Sequence, residues 1–304
     1  MSVFTTLHQQ DLIPVLAEAE LTLLAFRPAS AGIENSNYLI DATDPQGRRR
    51  DVVLTLFEQL PASALPWFAE VLAAAAAAGL PVPCPIPLPR GTVFELAGKP
   101  AMLVPRLPGQ HLDRPEPDHC RQIGAALARL HQVTVSSPTP LPHEREVLGE
   151  LMAELPKGPE RTKAAALLQR WLSRSGPRVL VHGDLFRDNA LFNGDQLSGL
   201  LDFYHACHDH PVYDLAVAIN DWCIDPSGEP LLSHQTALLE GYESERSLSA
   251  EGLELMDEAL TVAALRFWLS RLRGRHQTAL DGQGSKDPEE FARLYRRRLA
   301  ALDG

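Results

Sequence analysis

Near Leu107-Pro108-Gly109 the hydrophobic pattern of this 304-residue chain changes period, and that change restricts its fold more than any other feature. Before that point, short apolar runs cover residues 21–27, 38–40, 51–57, 93–96 and 101–106. Turn residues separate them, as in Asp44-Pro-Gln-Gly47 and Ala97-Gly98. Runs of this length bounded by Gly, Pro, Asn and Asp are strand signals. One helix precedes these runs and another interrupts them. Residues 8–19 place Leu12, Val15, Leu16 and Ala19 at helical spacing, and an alanine-rich stretch runs from Pro61 to Ala78 with Gly79 as its stop. Beyond Gly109 helical spacing dominates, over 118–133, 144–155, 161–173, 213–223, 231–242, 250–273 and 288–302. One β interval breaks it: a strand at 178–181, a polar loop at 182–189, and a hairpin of 190–192 and 197–201 turning at Asn193-Gly194-Asp195. The pattern predicts an α+β, two-lobe architecture, with a small β-rich N-terminal lobe over residues 1–106 and a larger helical lobe over 107–304. An interlobe cleft is the expected ligand site.

Composition narrows the partners. With 28 Lys plus Arg against 39 Asp plus Glu, the net charge is −11, which speaks against nucleic acid and anionic membrane, both polyanions. The four cysteines (Cys84, Cys120, Cys207, Cys223) are scattered and form no CxxC, so no disulfide scaffold is expected. The first twenty residues lack a basic segment followed by an apolar one, and Pro81, Pro83, Pro85 and Pro87 break the weakly apolar stretch at 71–88. A cytoplasmic protein with no membrane span is the expectation. No lysine precedes Lys99.

Three oxygen-bearing side chains fall on irregular backbone around the hairpin. Asp184 and Asn189 belong to Val181-His-Gly-Asp-Leu-Phe-Arg-Asp-Asn189, and Asp202 to Leu200-Leu-Asp-Phe203. A hairpin brings its ends together, so Asn189 and Asp202 are expected to meet. A hard cation such as Mg²⁺ takes a carboxylate and an amide oxygen, with phosphate oxygens completing its shell. Asp184 then remains to accept a proton from an incoming hydroxyl. Any one of the three alone would be a turn residue bonding its own backbone; together they fit phosphoryl transfer. His205, Cys207, His208 and His210 crowd nearby, with Cys223 downstream. Their spacing matches no paired zinc motif, and they read instead as a loop lining the substrate cleft. The run Arg296-Arg-Arg298 reads as the cationic end of the last helix, complementing its dipole.

HGDLFRDN and LLDFY resemble the catalytic loop of the aminoglycoside phosphotransferase and choline kinase superfamily, where His-Gly-Asp stands in place of the protein kinases' His-Arg-Asp. GIENSNYLI, VLTLFE, GLPVP, GKPAMLVPRLPG, YDLAVAINDWC, RFWLSRL and KDPEEF, spread over residues 32–291, are most similar to the kinase-like homoserine kinases. The resemblance implies a protein-kinase-like fold, ATP with Mg²⁺ as cofactor and L-homoserine as small-molecule substrate. The product would be O-phospho-L-homoserine, a precursor of threonine. By the same resemblance Asp184 is the catalytic base, Asn189 and Asp202 are Mg²⁺ ligands, and His182 and Asp214 support the loop. Val104, Pro105 and Leu107 would lie along the adenine, with the Pro105 carbonyl accepting from its amino group and the Leu107 N–H donating to the ring. Kinases place a lysine on the third strand for the phosphates. Thr55 stands there, in a Leu-Thr-Leu pattern that resembles homoserine kinases. Mg²⁺ and the N–H groups of the loop holding Gly32, Asn35, Ser36 and Asn37 would offset the phosphate charge instead.

Homoserine presents a carboxylate, an ammonium and a hydroxyl. Arg266 and Arg271, flanking Trp268, are candidates for the carboxylate, and Asp209 or Asp221 for the ammonium. The competing reading pairs these arginines with surface acids while Phe267, Trp268 and Leu272 fill the core. Two other functions stay open. One is a related kinase for choline, hydroxylysine, a thio-sugar or an aminoglycoside. The other is a pseudokinase, invited by the missing lysine and opposed by the retained Asp184, Asn189 and Asp202. The sequence does not set an oligomeric state.

Overall fold

Strand β2 (Ser36–Thr43) alternates buried and half-buried residues along its length, with Ser36, Tyr38, Ile40 and Ala42 inward. Period-two burial sets one sheet face on a core. In the computed structural model, which describes residues 4–29, 35–136, 144–281 and 287–303, β2 belongs to a five-stranded sheet. Its other strands are β1 (Thr22–Pro28), β3 (Val52–Leu56), β4 (Phe94–Leu96) and β5 (Lys99–Pro105), in the order β1-β2-β3-β5-β4 with every pairing antiparallel. Leu12, Val15 and Leu16 of helix α1 (Gln9–Glu18) share one core with Tyr38, Ile40, Val52, Leu54 and Leu103. Helix α2 (Leu65–Ala77) buries Trp67, Phe68, Val71, Leu72 and Ala75. Thr55 lies on the sheet face opposite Leu54, in register with Asn37 and Met102.

The chain packs as two compact units, Met1–Gly109 with Ser198–Leu201, and Gln110–Leu197 with Asp202–Gly304. The second is mainly helical, with α3 (Pro117–Leu130), α4 (Glu144–Leu151), α5 (Pro159–Leu172), α6 (Pro211–Trp222), α7 (Leu232–Glu245), α8 (Ala250–Glu254), α9 (Met256–Asp281) and α10 (Pro288–Asp303). Helices α3 and α7 meet backbone to backbone. A Cβ on Gly124 would lie 1.9 Å from the Leu238 carbonyl oxygen, and one on Gly241 would lie 1.9 Å from that of Arg121. Glycine is the residue that permits such an approach. Along α9, Ala259, Leu260, Val262, Ala263, Ala264 and Leu265 are all buried, so this helix is wrapped on most sides.

Strand β6 (Val179–Val181) leads into the 182–189 loop, which ends in a 3-10 turn at Arg187–Asn189. Strands β7 (Ala190–Asn193) and β8 (Gln196–Leu200) form the hairpin. The residues expected to form a cleft-lining loop include a strand, β9 (Cys207–Asp209), antiparallel to β6. Its sequence is Cys-His-Asp, and only pairing with β6 makes it extended. The expected helix at 250–273 is two helices, broken at Leu255. The arginine run does not cap a helix end. Arg296 pairs with Glu160 at 2.7 Å, Arg297 pairs with Glu229, and Arg298 donates to Asn220 Oδ1 at 3.2 Å, because α10 runs on past them to Asp303. Among the described residues no helix is long and apolar enough to cross a membrane.

Candidate active site

The 182–189 loop is held from beneath by one carboxylate. Asp214, in the first turn of α6, accepts the His182 N–H on Oδ2 at 2.7 Å and the Gly183 N–H on Oδ1 at 2.9 Å. His131 Nε2 lies 3.1 Å from Oδ2, and the other ring nitrogen is 2.9 Å from the Tyr242 hydroxyl. The Asp214 and His131 side chains are fully buried. Burial alone would raise the Asp214 carboxyl; bonds from His131 and the His182 N–H, with the positive potential of both imidazoles, outweigh it and leave the group below the usual carboxylate range. Gly183 has φ of 77°, and a Cβ there would fall 2.7 Å from the His205 carbonyl oxygen. The position therefore needs glycine both for its left-handed backbone and for space.

Asp184 is half-buried. The Asn189 amide nitrogen donates to its carbonyl oxygen at 2.7 Å and to its carboxylate at 3.0 Å. The loop is further fixed by the Trp222 indole N–H on the Leu185 carbonyl at 3.0 Å, and by Asp221, which accepts the Arg187 N–H at 2.7 Å and pairs with its guanidinium. Asp202 follows β8 with φ 62° and ψ 58°, a left-handed conformation that Asn and Asp tolerate better than other non-glycine residues. It is exposed, and the turn Phe203–His205 behind it places the Phe203 ring 4.4 Å from that of His182. An amide and an exposed carboxylate flanking one hairpin are a hard-oxygen donor set, and they fit a magnesium ion. Among the described residues no three His, Cys, Asp or Glu side chains cluster as a metal site.

Residues 25–248 match the phosphotransferase enzyme family. The chain belongs to that family. A homoserine kinase of Methylobacillus flagellatus is 38% identical over 314 residues, covering 100% of this chain and 97% of the relative. One of Pseudomonas aeruginosa is 39% identical over 305 residues, covering 96% and 94%. Among solved structures, the amicoumacin kinase hAmiN superposes with a TM-score of 0.69 at 17% identity, covering 97% of this chain and 93% of its own. The phosphotransferase thus has the α+β, protein-kinase-like fold.

The residues expected to meet the nucleotide lie in the first unit of the phosphotransferase, apart from Gly32, which is outside the described residues. Asn35 is buried, and Val104, Pro105 and Leu107 run from β5 into the segment after it, with Pro105 and Leu107 half-buried. Thr55 Oγ donates to Asn37 Oδ1 at 2.7 Å. The Ser36 hydroxyl faces inward: it accepts the Phe4 and Thr5 N–H groups at 2.9 and 3.1 Å and donates to Glu58 at 2.6 Å. Glu58 also pairs with Lys99 Nζ at 3.1 Å. Burial alone would raise the Glu58 carboxyl; Ser36, Thr5 and Lys99 hold it below the usual range.

The four substrate candidates separate. Asp209 is buried in β9 and accepts the His210 N–H at 2.7 Å. Asp221 is occupied by Arg187. Arg271 pairs with Glu290 at 2.6 Å and lies over the Phe291 ring, which is the surface-acid pairing considered for this helix. Arg266 instead touches the 182–189 loop. Reasoning from sequence missed His131, Tyr242, Arg187 and Trp222. Arg187 and Trp222 fall within the HGDLFRDN and YDLAVAINDWC segments, but the partners of all four are 34 to 111 positions away, so nothing local shows what they hold.

Proposed function

We propose that the chain transfers the γ-phosphoryl group of ATP to the side-chain hydroxyl of L-homoserine. The observation that carries this reading is the division of labour between two aspartates. Asp214, fully buried, places both carboxylate oxygens on loop backbone, whereas the half-buried Asp184 carboxylate meets the side chains of Asn189 and Arg266 and stays partly open to an incoming group. Full-length similarity to homoserine kinases supports the substrate.

In this reading Asp184 orients the substrate hydroxyl and takes its proton as the oxygen attacks in line. Asn189 Oδ1 and the Asp202 carboxylate would hold Mg²⁺, which supplies charge neutralisation at the phosphate oxygens. Asn189 is suited to this because its nitrogen end is fixed on Asp184, which turns its oxygen end away. Val104, Pro105 and Leu107 would lie along the adenine, and the N–H groups of Asn35, Ser36 and Asn37 would serve the phosphates. Thr55, held by Asn37, occupies the place of the usual lysine without supplying charge.

A coupled ADP-release assay over L-homoserine, choline, hydroxylysine and kanamycin tests the reading. Turnover with L-homoserine should exceed each of the others by about a hundredfold or more in kcat/KM, the discrimination available to a site that pairs both charged groups of its substrate. Faster turnover of choline or kanamycin would replace the substrate assignment.

A further inference from the structure

We infer that Arg266 is a positioning residue, tying the catalytic loop to the turn behind Asp202, and that it does not clamp the substrate carboxylate. Arg266 projects from α9 and is 4% exposed. Its Nη1 donates to the Gly183 carbonyl at 3.3 Å and lies 3.5 Å from Asp184 Oδ1. Its Nη2 lies 3.1 Å from His205 Nδ1. Arginine only donates, so the imidazole nitrogen is the acceptor. The guanidinium carbon sits 4.1 Å from the centre of the Phe267 ring, which limits its movement out of plane.

These contacts join two segments that carry different parts of the chemistry. One holds Asp184, and the other is the Phe203–His205 turn directly after Asp202. The segments approach until the Gly183 Cα faces the His205 carbonyl with no room for a methyl group. A planar fork with donors at fixed angles can hold two such segments at one separation; a single ammonium cannot. Bidentate binding of a free carboxylate uses either both Nη groups or Nε with one Nη, as at Arg187 and Asp221, so every mode needs an Nη. Here one is turned to a loop carbonyl and the other to an imidazole.

The rate effect rests on Asp184 being the base, so the test carries a second readout that does not. In the purified full chain, R266K keeps the charge and loses the fork. Its kcat should fall about tenfold to hundredfold, as for a small misplacement of a reacting group, with KM for L-homoserine within about threefold. Amide hydrogen exchange at residues 182–187 and 203–207 should quicken about tenfold in R266K and R266Q, with little change elsewhere. Should R266Q fail to fold, R266K carries both readouts. A tenfold rise in KM with kcat and exchange unchanged would assign Arg266 to the substrate carboxylate and overturn the inference, as would kinetics and exchange both like wild type. If D184N turns over normally, the base assignment falls, while faster exchange at both segments still supports the tie.

Discussion

Asn189 reaches back five positions to Asp184, with its side-chain nitrogen 2.7 Å from the backbone oxygen and 3.0 Å from the carboxylate. One short side chain thereby sets the rotamer of the proposed base and the direction of its own amide oxygen.

Asp184→Asn tests the base. The substitution is nearly isosteric but cannot accept the hydroxyl proton. We expect kcat to fall by at least about 10², with ADP affinity changed less than about threefold, measured by steady-state kinetics and calorimetry. Near wild-type turnover would remove Asp184 from that role.

The metal assignment is tested at Asp202. Because its backbone is left-handed, Asp202→Asn is the substitution that removes the charge while suiting the conformation. The variant should melt within about 2 °C of wild type, as expected of an exposed position, yet lose activity that millimolar Mg²⁺ does not restore. EDTA should abolish wild-type activity and Mg²⁺ should return it. Full turnover in the absence of any divalent ion would end the ligand reading.

Thr55 gives a third test. Thr55→Val removes one hydrogen bond to Asn37, worth about 0.5–1.5 kcal/mol, and kcat/KM should drop no more than about tenfold. Thr55→Lys should not raise turnover. Glu58, just beyond β3, already holds Ser36 and Lys99 and is not available to orient a new ammonium. A tenfold gain in Thr55→Lys would mark a damaged ordinary kinase.

These residues also show what the sequence discloses. Asp184, Asn189 and Asp202, the proposed base and metal ligands, stand out in the sequence because they are close together and phosphoryl transfer needs fixed residue types. The sheet is legible because strands such as β2 and β3 carry apolar residues in short, turn-bounded runs. By contrast, β9 is polar and becomes a strand only by pairing with β6. The Gly124–Gly241 crossing joins two helices more than a hundred positions apart, and an isolated helical glycine gives no hint of a partner. Arg266 and Arg271 are five positions apart on one helix, and the sequence cannot tell which faces the loop and which faces Glu290.

Asp214 links the site to acid stability. Its carboxyl titrates below the usual range when folded, so the stability it contributes is complete above the unfolded value of about 4 and is lost as pH falls from there toward the folded value. Asp214→Asn should destabilise the chain by about 3–5 kcal/mol at pH 7, since it removes the buried partner of His131 and turns an amide donor toward loop N–H groups. The penalty should shrink below about pH 4, where protonation begins to cost wild type the same interaction. Urea midpoints at pH 7 and pH 3 would show this; an equal loss at both would contradict it.

The absence of a lysine from β3 has a practical result for chemical proteomics. Acyl-phosphate analogues of nucleotides tag kinases by acylating a lysine amine beside the phosphates. Thr55 offers no amine, and the first unit contains one lysine in all, Lys99, whose ammonium is ion-paired with Glu58. A survey of nucleotide-binding enzymes built on such tags would pass over this chain at that strand however active it is.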